Sequence, residues 1–127
     1  MIVLDASVLI AHLDDTDVHH RRSVQTLLAV ADRPLGASTV TLAEVLIRPA
    51  RADRLADAVS VLATIGVREL PLGADGAVRL AELRARTALK LPDCCVLLAS
   101  LDVAADGVRT FDEPLAAAAR RLGFPTG

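Results

Sequence analysis

The chain has 127 residues and a net charge of −2 at pH 7, with 53% hydrophobic and 24% charged residues. That is enough for one domain with a real core, too little for two, and too apolar for disorder. The charge excludes a bulk polyanion binder, and an aromatic content of 2%, Phe111 and Phe124 alone, argues against a base-stacking platform of the RRM or OB kind.

Residues 2–5 predict a buried strand, and 6–13 and 17–31 predict helices split by the polar loop Asp14-Asp15-Thr16. Residues 35–38 predict a second strand. Ser38 or Thr39 can cap a helix over about 40–48, with Pro49 as its stop. A helix follows over 51–64, where Leu55, Val59 and Leu62 recur at helical spacing, then a strand over 67–72. Residues 75–90 predict an amphipathic helix carrying the Glu82/Arg86 pair on its polar face. Pro92 opens the next helix over 92–104, 108–111 form a fourth strand, and 114–122 form a last helix stopped by Gly123. Strands alternating with helices predict an α/β domain with a largely parallel sheet.

Four carboxylates stand where charge is costly. Asp5 ends Ile2-Val3-Leu4, Glu44 interrupts the apolar run from Val40 to Ile47, Asp93 leads into Val96-Leu97-Leu98, and Asp112 closes Val108 to Phe111. In a doubly wound sheet ligands bind outside the carboxyl ends of the strands. Asp5 and Asp112 lie at such ends, while Glu44 and Asp93 lie near helix starts facing the same rim. Asp112 has a second reading as a helix N-cap, and Asp93 as a first-turn charge on the helix dipole. Together the four predict a hard-metal site, because oxygen-only donors suit Mg²⁺ or Mn²⁺ and fit zinc or copper poorly. Such a site clamps phosphate and activates water, which is nuclease chemistry.

The remaining features are plainer. His12, His19 and His20 lack metalloprotease spacing, and the adjacent Cys94 and Cys95 read as small buried residues in a reducing compartment. All basic residues except Lys90 are arginine, the bidentate reader of phosphate and carboxylate. Arg48, Arg51 and Arg54 follow Glu44 closely enough to meet phosphates or a protein partner. Asp5 spoils the only N-terminal apolar stretch and no uncharged run reaches transmembrane length, so a soluble cytoplasmic protein is expected.

In this order and at this spacing, four segments carry a family resemblance: the opening Ile2-Val3-Leu4-Asp5-Ala6-Ser7, then Thr41-Leu42-Ala43-Glu44-Val45, then Leu91-Pro92-Asp93-Cys94-Cys95, then Thr110-Phe111-Asp112. The chain resembles the PIN-domain ribonucleases over its full length, and most closely the VapC-type toxins of toxin–antitoxin pairs. The resemblance implies a PIN-like three-layer α/β/α domain over 1–127 with a short, mainly parallel central sheet. It implies an acidic quartet of Asp5, Glu44, Asp93 and Asp112, with Asp5 and Asp93 binding metal most directly. Glu44 and Asp112 would act partly through water or a second metal. Ser7 and Thr110 match small hydroxyl positions that hold carboxylates in place. Mg²⁺ or Mn²⁺ as cofactor, RNA as substrate, a cognate antitoxin as inhibitor and a homodimer are implied as well.

One alternative is a catalytically silent PIN-fold module that holds RNA or a protein without cutting. Against it stand four mutually repelling charges, costly to keep without a metal. Phosphotransfer folds fit poorly. A haloacid-dehalogenase-like site wants an acid where Ser7 stands, and a receiver domain wants paired acids and a late lysine.

Overall fold

Residue alternation in the first strand builds two cores at once. In the computed structural model, which describes residues 1–127, β1 (Ile2–Leu4) is fully buried on both faces. Ile2 and Leu4 point into one apolar cluster with Leu9, Leu27, Val45 and Leu62. Val3 points into the other, with Val96, Leu97, Val108 and Leu115. Strands covered on both faces are what parallel sheets require.

The elements follow in the order α1 (Ala6–Leu13), α2 (His20–Leu28), β2 (Leu35–Ser38), α3 (Thr39–Arg51), α4 (Leu55–Thr64), β3 (Val67–Leu70), α5 (Gly76–Arg86), α6 (Leu91–Asp102), β4 (Gly107–Arg109) and α7 (Glu113–Arg121). All strand pairs are parallel, in the order β3-β2-β1-β4. Helices α1 to α4 contribute to the first core and α6 and α7 to the second, giving three layers around the sheet. The chain leaves β1 toward β2 on one side and returns to pair with β1 through β4 on the other. The topological switch therefore lies between the carboxyl ends of β1 and β4, where doubly wound sheets bind ligands. No helix is long and apolar enough to cross a membrane.

Several boundaries differ from the sequence expectation: α5 ends at Arg86 and not at 90, β4 at Arg109 and not at 111, and four other differences have a visible local reason. Helix α3 runs through Pro49 to Arg51. Proline withholds one N–H from the helix ladder, but it sits in the last turn, so the disruption has little helix left to break. The next helix then starts at Leu55 and not at 51, after a turn in which Asp53 takes a positive φ of 59°. Helix α2 is shorter than 17–31 because Asp14 and Asp17 bind the backbone N–H groups of Thr16 and His19, closing local turns. Strand β3 stops at Leu70, which pairs with Ser38 at the end of β2, so Pro71 and Leu72 have no partner to extend along.

Helix α3 starts on a cap that the sequence makes visible. Ser38 Oγ accepts the Thr41 N–H at 3.0 Å and donates to Thr41 Oγ1 at 2.9 Å, with both residues buried. Ser38→Ala should cost about 1–2 kcal/mol, read as a lower urea midpoint with an unchanged m-value.

Candidate functional site

The switch point is occupied by Asp5, only 7% exposed. It follows β1 and caps α1, its backbone N–H donating to Arg109 O of β4 at 3.0 Å. A single carboxylate oxygen, Oδ2, accepts three hydrogen bonds: from Ser7 N–H at 3.3 Å, Ser7 Oγ at 2.7 Å and Thr110 Oγ1 at 2.8 Å. Each hydroxyl also works in the other direction. Ser7 Oγ accepts the Phe111 N–H at 2.9 Å, and Thr110 Oγ1 accepts the Asp112 N–H at 3.0 Å. Two hydroxyls thus fasten the loop after β4 to the end of β1 and fix the Asp5 rotamer.

The other three acids arrive on helices. Asp93 lies in the first turn of α6, which packs against α3, the helix that carries Glu44. Asp112 caps α7, its Oδ1 accepting the Leu115 N–H at 3.3 Å. The cap reading of Asp112 therefore holds, and its position beside Thr110 places it at the same rim.

The acids feel one another. Burial, then Asp5, then Asp93 push the Glu44 carboxyl above the usual carboxylate range. Burial, then Asp5, then Asp112 raise Asp93, with smaller opposing pulls from Lys90. None of the four forms an ion pair, and Arg48, one turn after Glu44, makes none with it. The four share one electrostatic neighbourhood, but no three converge on a single ligating point. The convergence is thus one of charge, not a closed ligand cage. The donor set is all oxygen, and Glu44 and Asp93 accept no side-chain hydrogen bond. That chemistry fits a hard divalent cation, which would offset the repulsion.

Beside Glu44 a groove of about 510 Å³ lies between the end of α1, α3 and α4. Arg48 and Arg54 line it with Glu44, and Arg51 does not. Sequence reasoning missed a second basic feature, across the site. The Arg22 guanidinium carbon sits 4.3 Å from the centroid of the Phe111 ring, and His19 packs on the same ring with centroids 5.7 Å apart. The available signal was Phe111 standing next to Asp112. His12 and His20 stack on each other 6.2 Å apart on the α1–α2 hairpin, so they add no imidazole to the acids.

Fold and site define a doubly wound α/β domain with an acidic centre at its switch point. The signature of the PIN domain matches residues 2–121, and the chain belongs to the PIN-domain family. No curated protein matches it closely enough to count. Among solved structures it is similar to VapC20 of Mycobacterium tuberculosis, described as a sarcin-ricin loop cleaving toxin, at 20% identity and a TM-score of 0.78, covering 100% of this chain and 98% of that one. It is also similar to a chain of a toxin–antitoxin complex from Klebsiella pneumoniae, at 25% identity and a TM-score of 0.70, covering 88% and 87%. A third is VapBC2 from Rickettsia felis bound to a fragment of its promoter DNA, at 15% identity and a TM-score of 0.67, covering 89% of each chain.

A raised folded-state pKa means that ionising Glu44 opposes folding. The penalty is absent below the ordinary carboxylate range, grows as pH rises toward the raised value, and is then constant. Glu44→Gln should therefore raise the Tm of the EDTA-treated protein at pH 7 by about 2 °C, a small figure because solvent screens a half-buried group. The gain should vanish as pH falls below about 4. Calorimetry across that range checks it, and a Tm lowered at pH 7 would contradict it.

Proposed function

We propose that this chain is a divalent-metal-dependent endoribonuclease and the toxin of a toxin–antitoxin pair. The reading rests above all on Asp5, held by two hydroxyls at the switch point of a PIN domain and felt electrostatically by Glu44 and Asp93, neither of which forms an ion pair. The similar solved structures include a described sarcin-ricin loop cleaving toxin and a toxin–antitoxin complex, which supports the reading.

In this reading residues 1–127 form one nuclease domain. Asp5 and Asp93 hold Mg²⁺ or Mn²⁺ most directly, and Glu44 and Asp112 complete the set. When bound, the cation supplies Lewis-acid activation and charge neutralisation for phosphodiester hydrolysis. The protein's own contribution is positional. Ser7 and Thr110 spend their donors on Oδ2 of Asp5, which leaves Oδ1 free of protein hydrogen bonds and aimed by a fixed rotamer. Glu44 keeps a proton to higher pH than an ordinary carboxylate, so cation binding should release protons. RNA is the substrate, a cognate antitoxin the inhibitor, the cytoplasm the compartment and a homodimer the assembly.

Induced expression of wild type beside Asp5→Asn, with total RNA read for new 5′ ends, tests the activity. Growth arrest and new ends from the wild type alone are expected. Equal cleavage by Asp5→Asn would remove Asp5 from the mechanism, and no new ends from either would favour a silent binding module.

Thr110→Val keeps the shape and removes the donor to Asp5. It should lower cleavage roughly 10–100-fold, with a correspondingly smaller rise in Tm on adding Mn²⁺. Wild-type protein should gain Tm with Mg²⁺ or Mn²⁺ and lose that gain in EDTA. Absence of any metal-linked shift would mean that the acids do not act together.

A further inference from the structure

The acidic site needs something to bring a polyanion to it, and the Arg22–Phe111 stack stands where that task falls. We propose that Arg22 is a substrate-binding residue whose guanidinium, held on the face of Phe111, takes a phosphate of the RNA strand next to the acidic centre. The proposal rests on the nuclease reading above and adds to it a specific phosphate contact.

Three observations carry it. The first is position. Phe111 lies between Thr110, which donates to Asp5, and Asp112, and its own N–H is bound by Ser7 Oγ. The backbone of the residue under Arg22 is thereby tied to the same two hydroxyls that hold Asp5.

The second is availability. Arg79 is bound to Asp102, Arg120 to Glu113 and Arg33 to Asp106, while Arg109 spends its donors on backbone carbonyls. Arg22 is one of nine arginines that form no ion pair or hydrogen bond within the chain; its residue is exposed, and it is the one seated on an aromatic ring. A guanidinium on a ring keeps its five N–H groups in the plane, directed outward as a fork that matches phosphate.

The third is cost. Helix α2 begins His20-Arg21-Arg22 with no acid in its first turn, and its N-cap His19 makes no side-chain capping bond. Cations at the positive end of a helix are destabilising. Anchoring makes up for this instead: His20 Nδ1 donates to Ala11 O at 2.8 Å, and the buried Ser23 bonds His20 O at 2.6 Å. The segment is held rigidly while presenting charge that the helix itself does not favour.

Arg48 and Arg54 line the groove beside Glu44 together with Asp14, Asp15 and Asp57, so their charge there is partly offset. Arg22, by contrast, is held by an aromatic ring.

The test uses full-length protein carrying Asp5→Asn, so that RNA binds without being cut. Affinity for a fluorescein-labelled single-stranded RNA of mixed sequence is measured by anisotropy over a salt series. Adding Arg22→Gln should weaken binding about tenfold and flatten the slope of log affinity against log salt by about 0.7, the loss of one phosphate contact to a single strand. Arg22→Lys should recover the slope and part of the affinity. Phe111→Leu should weaken binding less than Arg22→Gln and keep the slope, since charge remains but its support is gone. Arg121→Gln, at the far end of α7, should change neither quantity.

Unchanged affinity and slope in Arg22→Gln, in a parent that does bind RNA, overturns this proposal and leaves the nuclease reading standing; the fork would then serve another partner, such as an acidic peptide. An equal loss from Arg121→Gln overturns it too, by reducing the effect to net charge. A parent that binds no RNA, together with a wild type that cuts none, defeats the nuclease reading and this contact with it.

Discussion

One oxygen atom holds the centre of this molecule together. Oδ2 of Asp5 collects donors from Ser7, at the start of α1, and from Thr110, beyond the end of β4. A buried carboxylate is expensive unless its lone pairs are met, and three bonds to Oδ2 offset that cost on one oxygen while Oδ1 has no protein donor. This carboxyl, almost fully buried, can thus stay in place at the switch point of the sheet. Both hydroxyls are also acceptors, for the N–H groups of Phe111 and Asp112. The bonds that tolerate the charge therefore also shape the loop presenting the next acid, and fold and site share the same few atoms.

Around that atom, charge is distributed unevenly. The four acids have no counter-ions, while Arg22 stands on Phe111 and Arg48 and Arg54 stand in the groove beside Glu44. Net charge, close to zero, conceals this arrangement completely. Burial first, and then mutual repulsion, raises the Glu44 and Asp93 carboxyls and so costs stability. The sheet can bear it because β1 feeds two apolar cores at once through the alternation of Ile2, Val3 and Leu4.

Much of this was legible in the chain, and the reason lies in what each feature depends on. Fold class followed from alternating periods of two and near four residues, which are local. The four acids were legible because charge inside apolar runs is rare and conspicuous. Ser38 as a cap was likewise local. The end of β3 at Leu70 was not, since it is set by the length of β2, a different segment. Nor was the continuation of α3 past Pro49, where a propensity rule yields to position within the last turn. Arg22 escaped notice because its significance lies in a ring 89 residues away in sequence. Sequence order likewise could not say that the acids approach in charge without closing into a ligand cage.

The strand order β3-β2-β1-β4 pairs β1 with the strand made last. Until residues 107–112 have been synthesised, β1 has an open edge and Asp5 lacks its Thr110 donor. Long-range pairing of this kind forms late, because the intervening chain must close around it. A nascent chain that has not yet reached residue 112 therefore lacks the assembled centre. Under the proposed activity, the order of the strands acts as a timer that keeps a nuclease from forming beside the machine that is still building it.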